Sequence, residues 1–193
     1  MSDTESAIKN AVIEILLKDG NFGFTLFDVA KKSKVSRTVI HYYFRSRDNL
    51  LSVVTNEILV KMVAPRYDLL FASDSLKRKI MLFIEESERV CRSYPYVDIF
   101  IMIRYPDSTS LQSFFDRTLT GFHELTAEVQ AAIDQKNLRY QEVEHFFADL
   151  FSLSSFSYIF LNFYENIRSH TGTIVDKEDK NKDCRITNIL FSK

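Results

Sequence analysis

Glycine and proline are scarce. Four glycines (Gly20, Gly23, Gly121 and Gly172) and three prolines (Pro65, Pro95 and Pro106) punctuate 193 residues. Long stretches therefore run without the residues that turn a β chain, which disfavours a hairpin-rich fold and predicts an all-α one. Cysteine is scarcer still. Cys91 and Cys184 stand far apart with no Cys-x-x-Cys spacing, so neither a disulfide framework nor a zinc site is expected, and Cys91 reads as a small buried hydrophobe. The opening MSDTESAIKN lacks a basic segment leading into an apolar one. No secretory signal is read there, and the expected compartment is the cytoplasm. Catalytic signatures are missing too: there is no glycine-rich phosphate loop, nucleophile elbow or Cys-His pattern. Glu142 and His145 do form one Glu-x-x-His, but di-metal bundles need that motif twice with facing glutamates, and neither His123 nor His170 has a Glu three residues before it. A helical-bundle metal enzyme is therefore the lesser alternative, and no metal or cofactor is expected.

Apolar and aromatic residues are plentiful, at 46% and 13% of the chain, enough for a sizeable core in one or two domains. The most apolar stretch is FFADLFSLSSFSYIFLNF at 146 to 163. Asp149, Ser152, Ser154, Ser155, Ser157 and Asn162 would be costly in lipid, so no membrane span is expected.

Charge is unevenly placed. The chain carries a formal −1, yet residues 25 to 47 hold Lys31, Lys32, Lys34, Arg37, Arg45 and Arg47 against Asp28 alone, a local +5 that leaves −6 elsewhere. A basic island on an acidic chain is the footprint of a nucleic-acid reader, although on charge alone a solvated face is the commoner reading.

Helical periods surround the island. Ile8, Val12, Ile15 and Leu16 form the stripe of a first helix expected to stop at Gly20. Thr25 is the expected N-cap of a second helix, over about 26 to 33, with Asp28 as an acidic variant of the capping box and Leu26, Val29 and Ala30 facing inward. Lys34 and Val35 make a tight turn. Ser36 caps a third helix from about 37 to 43, and Ser46 a fourth with Leu50, Leu51, Val54, Ile58 and Met62 as its stripe.

Two short helices joined by a tight turn, the second lined with hydrogen-bond donors, make a helix-turn-helix whose second helix enters the DNA major groove. Val39, Ile40 and Phe44 would hold that short helix to its neighbours, since seven residues cannot meet the cost of helix nucleation alone. Arg37 and Thr38 would meet base edges, His41 and Tyr42 phosphates or bases, and Lys34, Arg45 and Arg47 the backbone. The amide groups around Ser36 add an anion site. The alternative for His41 and Tyr42 is a partly buried, polar-tipped pair. With Thr25, these residues make up the expected DNA-facing set.

TLFDVAKKSKVSRTVIHYYF at 25 to 44, the first helix before it and RSRDNLL at 45 to 51 after it resemble the TetR-type one-component transcriptional regulators. The resemblance covers roughly the first fifty residues. It implies a DNA-binding domain over 1–48, a connecting fourth helix over 47–64, and a C-terminal helical domain over 49–193 that binds a ligand and dimerises. It further implies a positive φ at Lys34, where the family usually has Gly, and departures from the family at Thr38, Val39 and His41.

Beyond residue 64 the sequence speaks of architecture. Pro65 is expected to end or bend the fourth helix. Leu76, Ile80, Phe83, Ile84 and Cys91 mark a fifth, SYPYVDIFIMIRYP at 93 to 106 a short aromatic one, and long helices follow near 108 to 136 and 139 to 169. The last is apolar on nearly every side and would need a partner subunit to cover it, so Phe147, Phe151, Phe156, Phe160 and Phe163 are the expected homodimer contacts. Phe83, Glu86, Tyr96, Phe100, Tyr105, Phe114 and Phe122 could line a site for a small apolar or amphipathic effector, although for any one of them a place in the core is commoner. The expected function is a ligand-responsive regulator, repression being the commoner outcome among similar proteins, that binds a palindromic double-stranded operator as a homodimer. A dimer that binds DNA and senses nothing is a further alternative.

Overall fold

The computed structural model describes residues 3–105, 108–171 and 189–191, and excludes the side chains of 108–119, 162, 166 and 169–171. Every regular element it describes is helical. In order they are α1 (Asp3–Leu17), α2 (Leu26–Ser33), α3 (Arg37–Phe44), α4 (Arg47–Ile58), α5 (Ala64–Leu70), α6 (Leu76–Ser93), α7 (Val97–Arg104), α8 (Ser108–Asp134), α9 (Val143–Phe151) and α10 (Ser157–Thr171), with π-helical turns at Leu59–Val63 and Ser152–Phe156. Packing divides them into two compact units, Met1–Pro65 with Tyr96–Pro106, and Arg66–Pro95 with Asp107–Lys193.

The N-terminal unit is built around α1. Ile8, Val12, Ile15 and Leu16 are buried as the stripe predicts, and α1 packs against α2, α4 and α7. The helix stops at Leu17 rather than at Gly20. Gly20 instead shapes the return of the chain: its φ is +67°, and a Cβ there would lie 3.1 Å from the Tyr96 ring, so only glycine fits both the backbone and the contact. Tyr96 donates its amide to the Leu17 carbonyl at 3.1 Å, which closes the end of α1. Lys9, 3% exposed, lies 3.4 Å from Glu5 and 3.2 Å from Glu57 of α4, and Glu57 meets Lys61 at 2.6 Å. A buried ammonium is tolerated there because carboxylates neutralise it.

Pro65 does not end the fourth helix. Helical backbone runs from Arg47 to Leu70, but it widens just ahead of the proline, and the Ala64 amide donates to Leu59 five residues back. A proline ring clashes with the carbonyl four residues earlier in an ordinary α-helix, and a wider turn makes room for it.

The C-terminal unit holds a core of Leu70, Ile80, Phe83, Ile84, Leu125, Val129, Leu138, Val143, Phe146, Leu150 and Leu190. Beside it runs a chain of rings. Tyr67 of α5 lies 5.9 Å from Phe83, 6.0 Å from Phe122 and 6.0 Å from Phe151, and Phe147 stacks on Phe151 at 6.1 Å. Edge-to-face pairs such as Phe83 with Phe151 at 5.7 Å and 87° favour opposite ends of the ring quadrupole. Gly121 of α8 lets Phe71 approach so closely that a Cβ would lie 2.5 Å from that ring. Lys79 of α6, buried, joins Glu128 of α8 at 2.6 Å.

Candidate nucleic-acid interface

The helix-turn-helix begins with a complete capping box. Thr25 Oγ1 accepts from the Asp28 amide at 3.3 Å, the Thr25 amide donates to Asp28 Oδ2 at 2.7 Å, and the Thr25 hydroxyl donates to the same oxygen at 2.8 Å. Those bonds, the backbone one first, hold the Asp28 carboxyl below its ordinary range. The turn follows at Lys34, in the left-handed region with φ 57° and ψ 26°, as the resemblance implies. Ser36 then caps α3 by accepting from the Val39 amide at 3.3 Å, and Ser46 caps α4 by accepting from Asn49 at 3.1 Å.

Periodicity settles the faces of α3. Ile40 and Phe44 are buried and Val39 is half-buried, whereas Arg37, Thr38, His41, Tyr42 and Arg45 are exposed. The exposed residues fall at i, i+1, i+4, i+5 and i+8, one side of a helix. Tyr42 is 70% exposed, so it is a projecting ring rather than a buried tip, and its edge meets half-buried Tyr43 at 5.4 Å. The helix ends at Arg45, whose φ of 63° and ψ of −46° place a non-glycine residue at positive φ; its amide donates to His41. Nothing in the sequence pattern signals that geometry.

The basic island is smaller in the fold than in the sequence. Arg47 is half-buried, with Nε donating to the Phe24 carbonyl at 2.7 Å, Nη2 to the Phe22 carbonyl at 3.2 Å, and its guanidinium 4.6 Å from the Phe24 ring centroid. That clamps the α1–α2 loop onto the start of α4. Lys32 pairs with Asp19 at 2.6 Å and Glu14 at 3.6 Å. Lys31, Lys34, Arg37 and Arg45 remain as exposed cations on the helix-turn-helix. Thr25, at the other end of the motif, is exposed with its hydroxyl committed to Asp28.

No family model and no curated protein matches the chain. Solved structures do. A TetR family transcription regulator from Marinobacter aquaeolei VT8 aligns over 98% of this chain and 96% of its own, with a TM-score of 0.63 at 11% identity. The chain has the TetR-type fold. A Clostridium perfringens protein described as a candidate fatty acid metabolism regulator aligns over 95% of this chain and 96% of its own, with TM-score 0.61 and 18% identity. A candidate TetR-family regulator from Rhodococcus sp. covers 97% of each chain, with TM-score 0.55 and 16% identity.

Within this TetR-type fold the residues considered for an effector site fall into different units. Tyr96 and Phe100 belong to the N-terminal one, where both rings pack near Phe22, at 6.5 and 6.0 Å. Tyr105, half-buried, closes α7 by donating its amide to Ile101. Phe83 and Phe122 belong to the C-terminal ring chain, and the side chain of Phe114 lies outside the described residues. Glu86, half-buried on α6, is bonded by Arg89 at 2.6 and 2.8 Å. Arg89 foremost, with Arg66 also contributing, keeps its carboxyl below the ordinary range.

The residues considered for a dimer contact divide as well. Phe147 and Phe151 are half-buried in the ring chain of their own unit, while Phe156, Phe160 and Phe163 are 58%, 54% and 57% exposed. Val143–Glu165 is long and apolar enough to cross a bilayer by length and composition. It nevertheless buries Phe146 and Leu150 in the core and carries Asp149, which accepts from Tyr140 at 2.8 Å. Burial, and then Asp149, push the Tyr140 hydroxyl up. Glu142 and His145 sit exposed at the start of α9, 3.5 Å apart. Among the described residues no three His, Cys, Asp or Glu side chains gather at metal-binding distance.

Proposed function

We propose that the protein is a dimeric transcriptional regulator that reads a palindromic operator with α3 and releases it when a small amphipathic effector binds the C-terminal unit. One observation carries this reading: Arg37, Thr38, His41, Tyr42 and Arg45 share the exposed face of an eight-residue helix whose opposite face is anchored by Ile40 and Phe44. A short helix so anchored can lie in a major groove, with Arg reaching guanine, the Thr methyl reaching thymine, and the cations meeting phosphates. Arg47 serves the interface indirectly, by fixing the loop before α2.

The dimer is a second copy laid on α10. Phe156, Phe160, Phe163, Tyr164 and Ile167 recur at helical spacing as exposed apolar residues, the pattern of a helix awaiting another helix. Twofold symmetry would set the two reading helices about 34 to 36 Å apart, one DNA turn. An effector that favours another arrangement of the dimer then lowers operator affinity by its preference for that state.

Site selection from a random duplex library, followed by titration at several salt concentrations, tests the proposal. A palindrome bound with a steep salt slope and weakened by Arg37→Ala and Tyr42→Ala is expected. No enriched site at any salt would overturn it. Phe160→Ser combined with Phe163→Ser should yield a monomer by light scattering and weaken the operator complex; a persistent dimer would place the interface elsewhere.

A further inference from the structure

Hydroxyl groups in these helices follow a rule. Ser33, Thr55, Ser154 and Ser157 each donate to the carbonyl four residues earlier, at 2.7 to 2.8 Å, the usual way a helical hydroxyl is satisfied. Ser87 of α6 departs from it. Its residue is wholly buried, and its Oγ has no hydrogen-bond partner, not even the Phe83 carbonyl one turn back. A buried hydroxyl without a partner is costly, so its persistence calls for an explanation.

Its surroundings point to one. Ser87 stands one turn from Phe83 and one turn from Cys91 on the inward face of α6. Two consecutive residues of α5 bracket it: Tyr67 packs on Phe83 at 5.9 Å, and Arg66 Nη1 reaches Cys91 Sγ at 3.7 Å, among other interactions. Arg66 is 1% exposed, a permanent positive charge inside an apolar unit. Charge and hydroxyl thus lie along one helix seam, and the ring chain leads away from it.

We propose that the α5–α6 seam at Ser87 holds the head group of the effector, and that the head group is a carboxylate on an apolar chain. This deepens the effector reading and rests on it. Ser87 would donate to the carboxylate, and Arg66 is asked only for its charge. A cationic head would be repelled there, and a neutral alcohol would gain the hydroxyl bond without the Coulomb term. Tyr67, Phe83, Phe122 and Phe151 would receive the apolar chain.

Titrating full-length protein with dodecanoate, dodecanol and dodecyltrimethylammonium, each below its micellar concentration, is the test. Dodecanoate is expected to bind at least about tenfold tighter than the alcohol, the cation weakest of all, and Ser87→Ala should weaken dodecanoate about tenfold, the loss of one hydrogen bond to a charged group. The variant should melt at or above the wild-type temperature, because the substitution removes an unsatisfied hydroxyl. Equal binding of dodecanoate and the cation, no binding of any probe, or a Ser87→Ala variant that melts normally and binds dodecanoate unchanged would each overturn the assignment. Operator titration without probe keeps the two readings apart: an intact operator complex with no dodecanoate binding refutes the seam alone, and dodecanoate binding without any operator refutes the regulator alone.

Discussion

Replacing Arg45 by glycine should raise stability and lower operator affinity together, an unusual pairing that follows from its backbone. Positive φ costs a non-glycine residue about 1–2 kcal/mol. The ψ of −46° at Arg45 lies far from the centre of the left-handed basin, so the upper end, about 2 kcal/mol, applies. Glycine brings extra freedom in the unfolded chain, worth about 0.5–1 kcal/mol the other way. The net expectation is a gain of about 1 kcal/mol, a rise in Tm of about 2–4 °C for a chain of this size. If the guanidinium meets one phosphate, its loss should also reduce the slope of log affinity against log salt by about 0.9. Arg45→Ala separates the causes, since it keeps the strain and drops the charge: operator affinity should fall as much as for glycine with no gain in Tm. Melting of Arg45→Gly at or below the wild-type temperature refutes the strain argument, and an unchanged affinity and salt slope refutes the charge argument. Lys34→Gly should act in the same direction but less, because φ 57° and ψ 26° lie nearer the basin centre.

Two further outcomes are expected. Gly121→Ala sets a Cβ 2.5 Å from the Phe71 ring and should cost about 1–3 kcal/mol by chemical denaturation; no loss would mean that the ring moves aside freely. Lys9→Ala removes the buried cation between Glu5 and Glu57 and should cost about 3 kcal/mol. Lys61 first, and Lys9 with it, hold the Glu57 carboxyl below its ordinary 4.5, so its stabilisation is complete above 4.5 and fades as pH falls through the lower folded value. Glu57→Gln should therefore flatten the acid side of the Tm profile, and a profile that still falls as steeply would rule this pair out as a cause.

What could be read from the sequence was local. Thr25, Ser36 and Ser46 cap helices because a side-chain oxygen reaches amides two or three residues on, a rule needing no tertiary information. The stripe of α1 and the exposed face of α3 follow from the helical period alone. The rest depended on partners distant in the chain. Arg47 is drawn to carbonyls 23 and 25 residues earlier, and Lys32 to Asp19 and Glu14, so the sequence count of +5 overstates the charge left for DNA. Tyr96 and Phe100 looked like companions of Phe83 by composition, yet Phe22 and the Gly20 turn claim them. At Pro65 the ring's steric demand was foreseeable, but not that one widened turn would absorb it and let the helix continue.

The return of residues 96–106 to the N-terminal unit bears on how the protein is made and how it can be cut. The turn at Gly20 rests against Tyr96, and Phe22 against Phe100, so the wall behind the loop that Arg47 clamps is synthesised some eighty residues after the loop itself. While the chain emerges from the ribosome, the reading motif can form its caps and turn but must wait for α7 before that flank closes. A graft of residues 1–65 onto another regulator would carry the recognition helix intact and leave Phe22 against solvent. Transplanting the reader as a working part therefore requires two cuts of this chain rather than one.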